Sequence, residues 1–390
     1  MKNWDAIVVG AGIIGLSLAI ELNKHGLRVL VVEKGEPGRE ASWAAGGMLV
    51  DFPAETAPGL RELATASARM YPEFVHELED ESGVKIDLRS VGTLLFLDSH
   101  RDSSADPLDY QKLQSSYALP APLRELEPAF RVPDGTAPHF AAFYGSALYI
   151  DALYIKERCV DPRHLTAAAL AAAQHRGIDF SSGDQVLAID VADGKVCGVR
   201  TNKTRFAAGT VVNCAGAWAG QISVGTGASP VQAAPSSAGF RVPTRPVKGQ
   251  MLCVIMPEKE MVRHVVRTPD VYLIPRSDGR MLIGATAEEA GFDKQTVPET
   301  IQKLRQAAID LVPRLAEARI LEAWAGLRPG TPDGLPILGV TPTPGYFVAT
   351  GHFRDGILLA PVTARVIGQI MTGHQPECDV SKFSAGRFAD

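Results

Sequence analysis

Two segments far apart in the chain carry the clearest patterns of apolar and polar positions. Asp5–Lys34 reads DAIVVGAGIIGLSLAIELNKHGLRVLVVEK. Its apolar run Ala6–Val9 predicts a buried parallel strand. Ile14, Leu18 and Leu22 then recur at helical spacing and predict a helix over Ile13–Lys24, stopped by Gly26. Leu27–Val32 predicts a second strand ending at Glu33. More than 300 residues later, Gly345–Pro361 reads GYFVATGHFRDGILLAP. It predicts a strand at Phe347–Thr350, a turn at Gly351 and a helix beginning at Gly356.

Between these ends the pattern changes several times. Gly35–Val50 is rich in Gly, Ala and Ser and holds no long periodic element. Helical patterns follow at Gly59–Glu81 and Asp109–Glu127, around a strand at Gly92–Leu97, with Arg101–Asp109 read as an exposed loop. Asp161–His175 predicts a strong helix: Asp161 can cap it, Pro162 suits the first turn, alanines fill it and Gly177 ends it. Gln185–Asp190 and Val196–Thr201 read as a hairpin, and Thr210–Asn213 as another buried strand. Ser223–Pro246 reads as a loop or crossing linker. Gly249–Ile255, Val271–Pro275 and Arg280–Gly284 are strands of a mostly antiparallel sheet, and Val297–Leu311 is a helix. No element is assigned to Ala323–Gly330, and Thr341–Gly345 is a second Gly/Pro loop.

These elements predict an α/β protein with interleaved domains. Residues 1–50, 155–225 and 325–390 would form a Rossmann-like dinucleotide domain, and 51–154 with 226–324 an α+β substrate domain on a mostly antiparallel sheet. A length of 390 residues suits two cores rather than one. The net charge of −5 gives no footprint for nucleic acid, and no apolar run approaches a membrane span. The N-terminal apolar run is broken by glycines and does not read as a signal peptide. Cys159, Cys197, Cys214, Cys253 and Cys378 are scattered singly, without metal or disulfide spacing, which suits a reduced, cytoplasmic protein with no metal.

The chemistry starts in the first turn. Gly10, Gly12 and Gly15 form G-x-G-x-x-G directly between strand and helix. Gly10 permits the tight turn, Gly12 lets backbone approach a pyrophosphate, and Gly15 lets helix and strand pack. The helix N-terminus offers N–H groups and a positive dipole end to phosphates. Glu33 can bond both ribose hydroxyls and would repel a 2′-phosphate, which disfavours NADP. A nicotinamide domain can be completed within its first half, so a ligand met again by Gly345–Pro361 points to FAD.

Eight segments resemble, in order, the glycine oxidase branch of the D-amino-acid-oxidase family of FAD enzymes. They are Val8–Ala19, Ala41–Leu49, Val211–Gly220, Val247–Leu252, Tyr272–Arg276, Gly279–Thr286, Trp324–Gly339 and Gly351–Pro361. The resemblance implies FAD contacts from Gly10, Gly12, Ile13, Ile14 and Gly15, and from Glu33 and Lys34. It adds Ser42, Ala44, Ala45, Gly46, Gly47 and Met48, whose small side chains would let N–H groups approach the flavin. Val186 would place its backbone against adenine, and Cys214, Ala215, Gly216 and Trp218 form a second FAD contact. Gly351, His352, Phe353, Arg354, Asp355, Gly356 and Ile357 complete the set. There a helix N-terminus would face the flavin N1–C2=O edge, which becomes negative on reduction. Trp324–Gly339 holds no cysteine, so the FAD is expected to be non-covalent.

For the substrate, the resemblance assigns Arg328 to the carboxylate, to which Tyr272 would add a hydroxyl. Arg354 would face the amine through its main-chain carbonyl. An arginine fork suits a buried carboxylate, and hydride transfer to flavin needs no strong base, so His352 is expected in a cofactor-side or structural role. Asp355 departs from the pattern, which more readily carries an uncharged residue such as Asn. The implied activity is oxidation of glycine, sarcosine, D-alanine or a similar small amino acid. The electrons would pass to O2, in the setting of thiazole formation for thiamine, from a homotetramer. A dehydrogenase of the same fold, acting on a D-amino acid or 2-hydroxy acid and passing electrons to a quinone or carrier, stays open at this point.

Overall fold

The computed structural model describes residues 3–52, 55–97, 116–121, 123–130, 142–144, 147–149, 151–225 and 240–388. Its centre is a six-stranded sheet in the order 179–182, 29–33, 6–9, 211–213, 346–350, 337–340. All neighbours pair in parallel except the last. The first predicted strand, Ala6–Val9, and the late strand, Tyr346–Thr350, therefore flank the same partner, Val211–Asn213.

Alternation along the strands builds two cores. Ala6, Val8, Val29 and Val31 face a helical layer, while Ile7, Val9, Leu30 and Val32 face the other way. The helices are α1 (Ile13–Lys24), α3 (Arg61–Ser82), α4 (Pro162–His175) and α6 (Ala360–Met371). A short helix, α2, covers Ala41–Ala44. The opposite face packs on a smaller sheet containing the predicted hairpin, Val186–Ala192 with Lys195–Thr201. Asp161 caps α4 as expected, accepting from the Arg163 and His164 N–H groups, a cap that contributes about 1 kcal/mol. Gly15 packs so closely on the first strand that a Cβ there would run into the Gly10 carbonyl.

The second layer is a seven-stranded sheet in the order 319–330, 245–255, 280–284, 272–275, 265–267, 93–97, 151–155. It is antiparallel except where 265–267 meets 93–97. One face, with Leu252, Val254, Leu273 and Ile283, packs on α5 (Pro298–Leu311). The other, with Met251, Tyr272, Ile274 and Trp324, packs on Trp43, Ala44 and Met48 of the first layer.

Several expectations need correction. Ala323–Gly330 is not unstructured: it is the end of a 12-residue strand, Arg319–Gly330, paired along its length with Arg245–Ile255. Its Gly and Pro residues hid the strand, because Pro329 sits on an edge strand where a missing N–H costs nothing. The last helix starts at Ala360; Gly356–Leu359 is a turn. Asp109–Glu127 lies mostly outside the described residues; in its described part Ser116 is helical and Leu123–Leu126 forms a short helix. Arg101–Asp109 and most of Ser223–Pro246 are also outside them. Helix α3 falls in the stretch assigned to the second domain, yet Leu63, Ala64, Tyr71, Val75 and Leu78 sit in the core shared with α1 and α6.

Candidate active site

The two layers enclose a cavity of about 600 Å³. Segments at both ends of the chain line it, as do the antiparallel sheet and the strand end Cys214–Trp218. All but two of the site residues expected from sequence lie on its wall. The exceptions are Gly15 and Gly351, and both have structural work. Gly15 is buried against the first strand, and Gly351 turns with φ of 76°, where a Cβ would meet the Thr331 methyl at 2.5 Å.

At the glycine loop, the Glu33 carboxylate accepts from the Ala11 N–H at 2.8 Å and the Gly35 N–H at 2.9 Å. Glu33 thus shapes the loop it borders as well as facing the cavity. Ser42 Oγ accepts from the Ile13 N–H at 2.9 Å, at the start of α1. Lys34 lies 3.0 Å from the centre of the Trp218 ring and pairs with Glu40 at 3.4 Å. Burial lowers the Lys34 pKa. Val186 and Cys214 are buried at the cavity edge, and burial pushes the Cys214 thiol up, so it stays protonated.

The small-residue loop Ala44–Met48 is held from behind. Trp324 Nε1 donates to the Ala44 carbonyl at 3.1 Å. Arg276 is 1% exposed and donates to the Gly46 carbonyl at 2.6 Å and the Val160 carbonyl at 3.0 Å. No carboxylate lies within ion-pair distance of it among the described residues, and burial lowers its pKa. Gly47 adopts φ of 77°, a region open to glycine at no steric cost. In the sequence Arg276 is the end of the otherwise apolar Tyr272–Arg276 run. A charge closing an otherwise apolar strand was the signal that it is held inside.

The substrate side is built from side chains on strands. Arg328 donates to the Thr286 carbonyl at 2.9 Å, and its guanidinium lies over Gly249, where a Cβ would displace it. Tyr272 stands in register with Gly284, which pairs in turn with Met251, and its hydroxyl lies 3.7 Å from Met251 Sδ. Burial raises the Tyr272 pKa while Arg328 pulls it down, so the hydroxyl stays a donor. In register with Tyr272 across the strand pair is Arg267, held by Glu157 at 2.7 Å and by Glu55; sequence reasoning missed all three.

The closing turn differs residue by residue. His352 is 3% exposed, its Nε2 lies 3.1 Å from Thr363 Oγ1, and burial lowers its pKa to about 3. It is a neutral interior group, not a base. Arg354 is exposed, its guanidinium 5.2 Å from the Phe353 ring centre, and its carbonyl accepts no hydrogen bond from a described residue. Asp355 is half-buried against the cavity, and burial pushes its carboxyl up to about 6, against the pull of Arg354. The N–H groups of Gly356, Ile357 and Leu358 find no acceptor among the described residues. Three such donors beside a cavity suit the electron-rich edge of a flavin.

A parallel sheet with a glycine loop, an acid at the second strand end and unspent donors at a late turn define a dinucleotide-binding flavoprotein. The chain matches the FAD dependent oxidoreductase family over residues 5–370 and belongs to that family; FAD is its cofactor. It is 34% identical over 387 residues to a glycine oxidase of Pseudomonas aeruginosa, covering 98% of this chain and 99% of that protein. It is 32% identical over 387 residues to a bifunctional protein ThiO/ThiG of Trichormus variabilis, covering 98% of this chain and 55% of that longer protein. The crystal structure of a glycine oxidase from Geobacillus kaustophilus matches with a TM-score of 0.85 at 29% identity, covering 100% of both chains.

Proposed function

We propose that this protein is an FAD-dependent amino-acid oxidase acting on glycine or another small amino acid such as sarcosine or D-alanine. The observation that carries the reading is the meeting of Arg328 and Tyr272 with the glycine loop and the closing turn in one cavity. When bound, FAD supplies the hydride acceptor and the route of electrons to O2. For glycine the balance is glycine plus O2 plus water to glyoxylate, ammonia and hydrogen peroxide.

The chain's own task is to bind, orient and exclude water. Arg328 pairs with the substrate carboxylate as a planar fork, and the Tyr272 hydroxyl donates to the same group. The free carbonyl of Arg354 accepts from the substrate amine. Glu33 takes the ribose hydroxyls, the N-terminus of α1 faces the pyrophosphate, and Gly46 and Gly47 approach the flavin. Held this way, Cα–H is aimed at the flavin without a protein base. FAD is held without a covalent bond, since Cys214, on the cavity edge, stays a buried thiol.

We divide the chain into 1–50, 155–225 and 325–390 around FAD and 51–154 with 226–324 around the substrate, with the strand Arg319–Gly330 of the seven-stranded sheet running across the boundary. We assign α3 to the first despite its position. A cytoplasmic homotetramer serving thiazole formation for thiamine completes the reading. Five free cysteines support the cytoplasmic setting and the printed name of the ThiO/ThiG relative the thiazole setting, while the homotetramer rests on the family resemblance alone. No helix among the described residues is long and apolar enough to cross a membrane. The test is the purified yellow protein mixed anaerobically with glycine, sarcosine and D-alanine, then assayed for peroxide in air. Bleaching with peroxide supports the reading. Bleaching without peroxide makes it a dehydrogenase, and no bleaching by any of the three overturns it.

A further inference from the structure

We propose that Ser67 and Tyr71 of α3 are positioning residues: from behind the closing turn, Tyr71 fixes the Ile357–Leu358 peptide, and Ser67 fixes the Leu358–Leu359 peptide that closes the turn, so that together they set the shape of the turn whose unspent N–H groups would meet the reduced edge of the flavin. This rests on the seating of FAD described above.

Both side chains are fully buried in an apolar core, where an unpaired hydroxyl is costly. They are four residues apart and so share one face of α3. Helical Ser and Thr commonly bond back to their own helix. Here the hydroxyls instead reach to the far end of the chain. Tyr71 donates to the Ile357 carbonyl at 2.5 Å, and Ser67 donates to the Leu358 carbonyl at 2.6 Å. Ser67 Oγ also accepts from the Val362 N–H at 3.4 Å, which ties the turn to the first turn of α6.

In a trans peptide, C=O and N–H point in opposite directions. With the Ile357 carbonyl held toward α3, the Leu358 N–H must point away from it. Gly356 and Ile357 line the cavity beside it, and none of the N–H groups of Gly356, Ile357 and Leu358 is spent on a described residue. The Leu359 N–H is already used on the Asp355 carbonyl at 2.8 Å, which closes the turn into a fixed shape. The turn is therefore held in one shape, with unspent donors beside the cavity, before any charge develops there, the arrangement that favours a charge appearing on reduction.

The test compares the holoprotein with Tyr71→Phe, Ser67→Ala, the double variant and Ser67→Thr. Two quantities are read: the two-electron midpoint potential of the bound flavin, set by photochemical reduction against redox dyes, and the FAD dissociation constant. The double variant should bind reduced flavin about tenfold less well relative to oxidised flavin, a fall of about 30 mV for a two-electron couple. Each single variant should show part of this, and Ser67→Thr, which keeps the hydroxyl, none. A lower melting temperature with unchanged potentials in both single variants means that the hydroxyls only pack, and overturns the proposal. Photochemical reduction needs no substrate, so an enzyme that ignores glycine would sink the substrate assignment without touching this result.

Discussion

The two walls of the cavity are made of different material. The wall on the parallel sheet is built around glycine turns, a helix start and the closing turn at Gly356 and Ile357, whose N–H groups are unspent among the described residues. The wall on the antiparallel sheet carries the side chains Arg328, Tyr272 and Arg267, the last two directly opposite each other on neighbouring strands. A cofactor shared across many reactions can be held by peptide groups that every sequence possesses. A substrate must be told apart from its neighbours, and only side chains do that. The comparison makes a prediction: damage to the first wall should cost FAD, and damage to the second should cost turnover while leaving the protein yellow.

The largest expected effect is on the second wall. Arg328→Gln should lower kcat/KM for glycine by roughly 100- to 1000-fold, as loss of a buried charge partner does, with FAD content unchanged. Peroxide assays beside a flavin spectrum check both halves. On the first wall, Gly12→Val should weaken FAD binding by roughly 10- to 100-fold, the cost of about 1–3 kcal/mol of overpacking at the pyrophosphate approach. Flavin-fluorescence titration of apoprotein measures it; retained FAD affinity would mean that this wall is not built on close backbone approach. Tyr272→Phe should cost about tenfold in kcat/KM, the worth of one hydrogen bond to a charged group, again without loss of colour.

Asp355 stands at the seam and gives the smallest effect. Its folded pKa of about 6 is above the ordinary 3.8, so the folded apoprotein binds more protons than the unfolded chain between those values. Stability therefore falls as pH rises through that window. Asp355→Asn apoprotein should be more stable than wild type by about 1 kcal/mol at pH 8, with the gap closing below pH 4. Denaturant titrations at the two pH values test the sign.

The same division explains what could be read from sequence. Gly10-x-Gly12-x-x-Gly15, the acid at Glu33 and the capped helix after Asp161 are local features, with chemistry and spacing contained in a few neighbouring residues. They stood where expected. Arg328 was identified only through resemblance, because the strand under it, Arg319–Gly330, contains two glycines and a proline in its last five residues and has no pattern of its own. It becomes a strand by pairing with Arg245–Ile255. Arg276 and the pair Ser67 and Tyr71 act on carbonyls 230 and about 290 positions away, a relation that no window of sequence contains.

The pairing of Tyr346–Thr350 beside Val211–Asn213 has a consequence for how the protein is made. The ribosome adds the closing turn more than 300 residues after the pyrophosphate loop. At about 5–20 residues per second, the interval between Gly15 and Gly351 is roughly 20–70 s. During that time the nascent chain has a half-built cradle and an incomplete central sheet. Flavin loading is then expected to wait for the arrival of the closing turn rather than to follow the supply of the vitamin. A chain truncated before Tyr346 should emerge colourless however much FAD the cell contains.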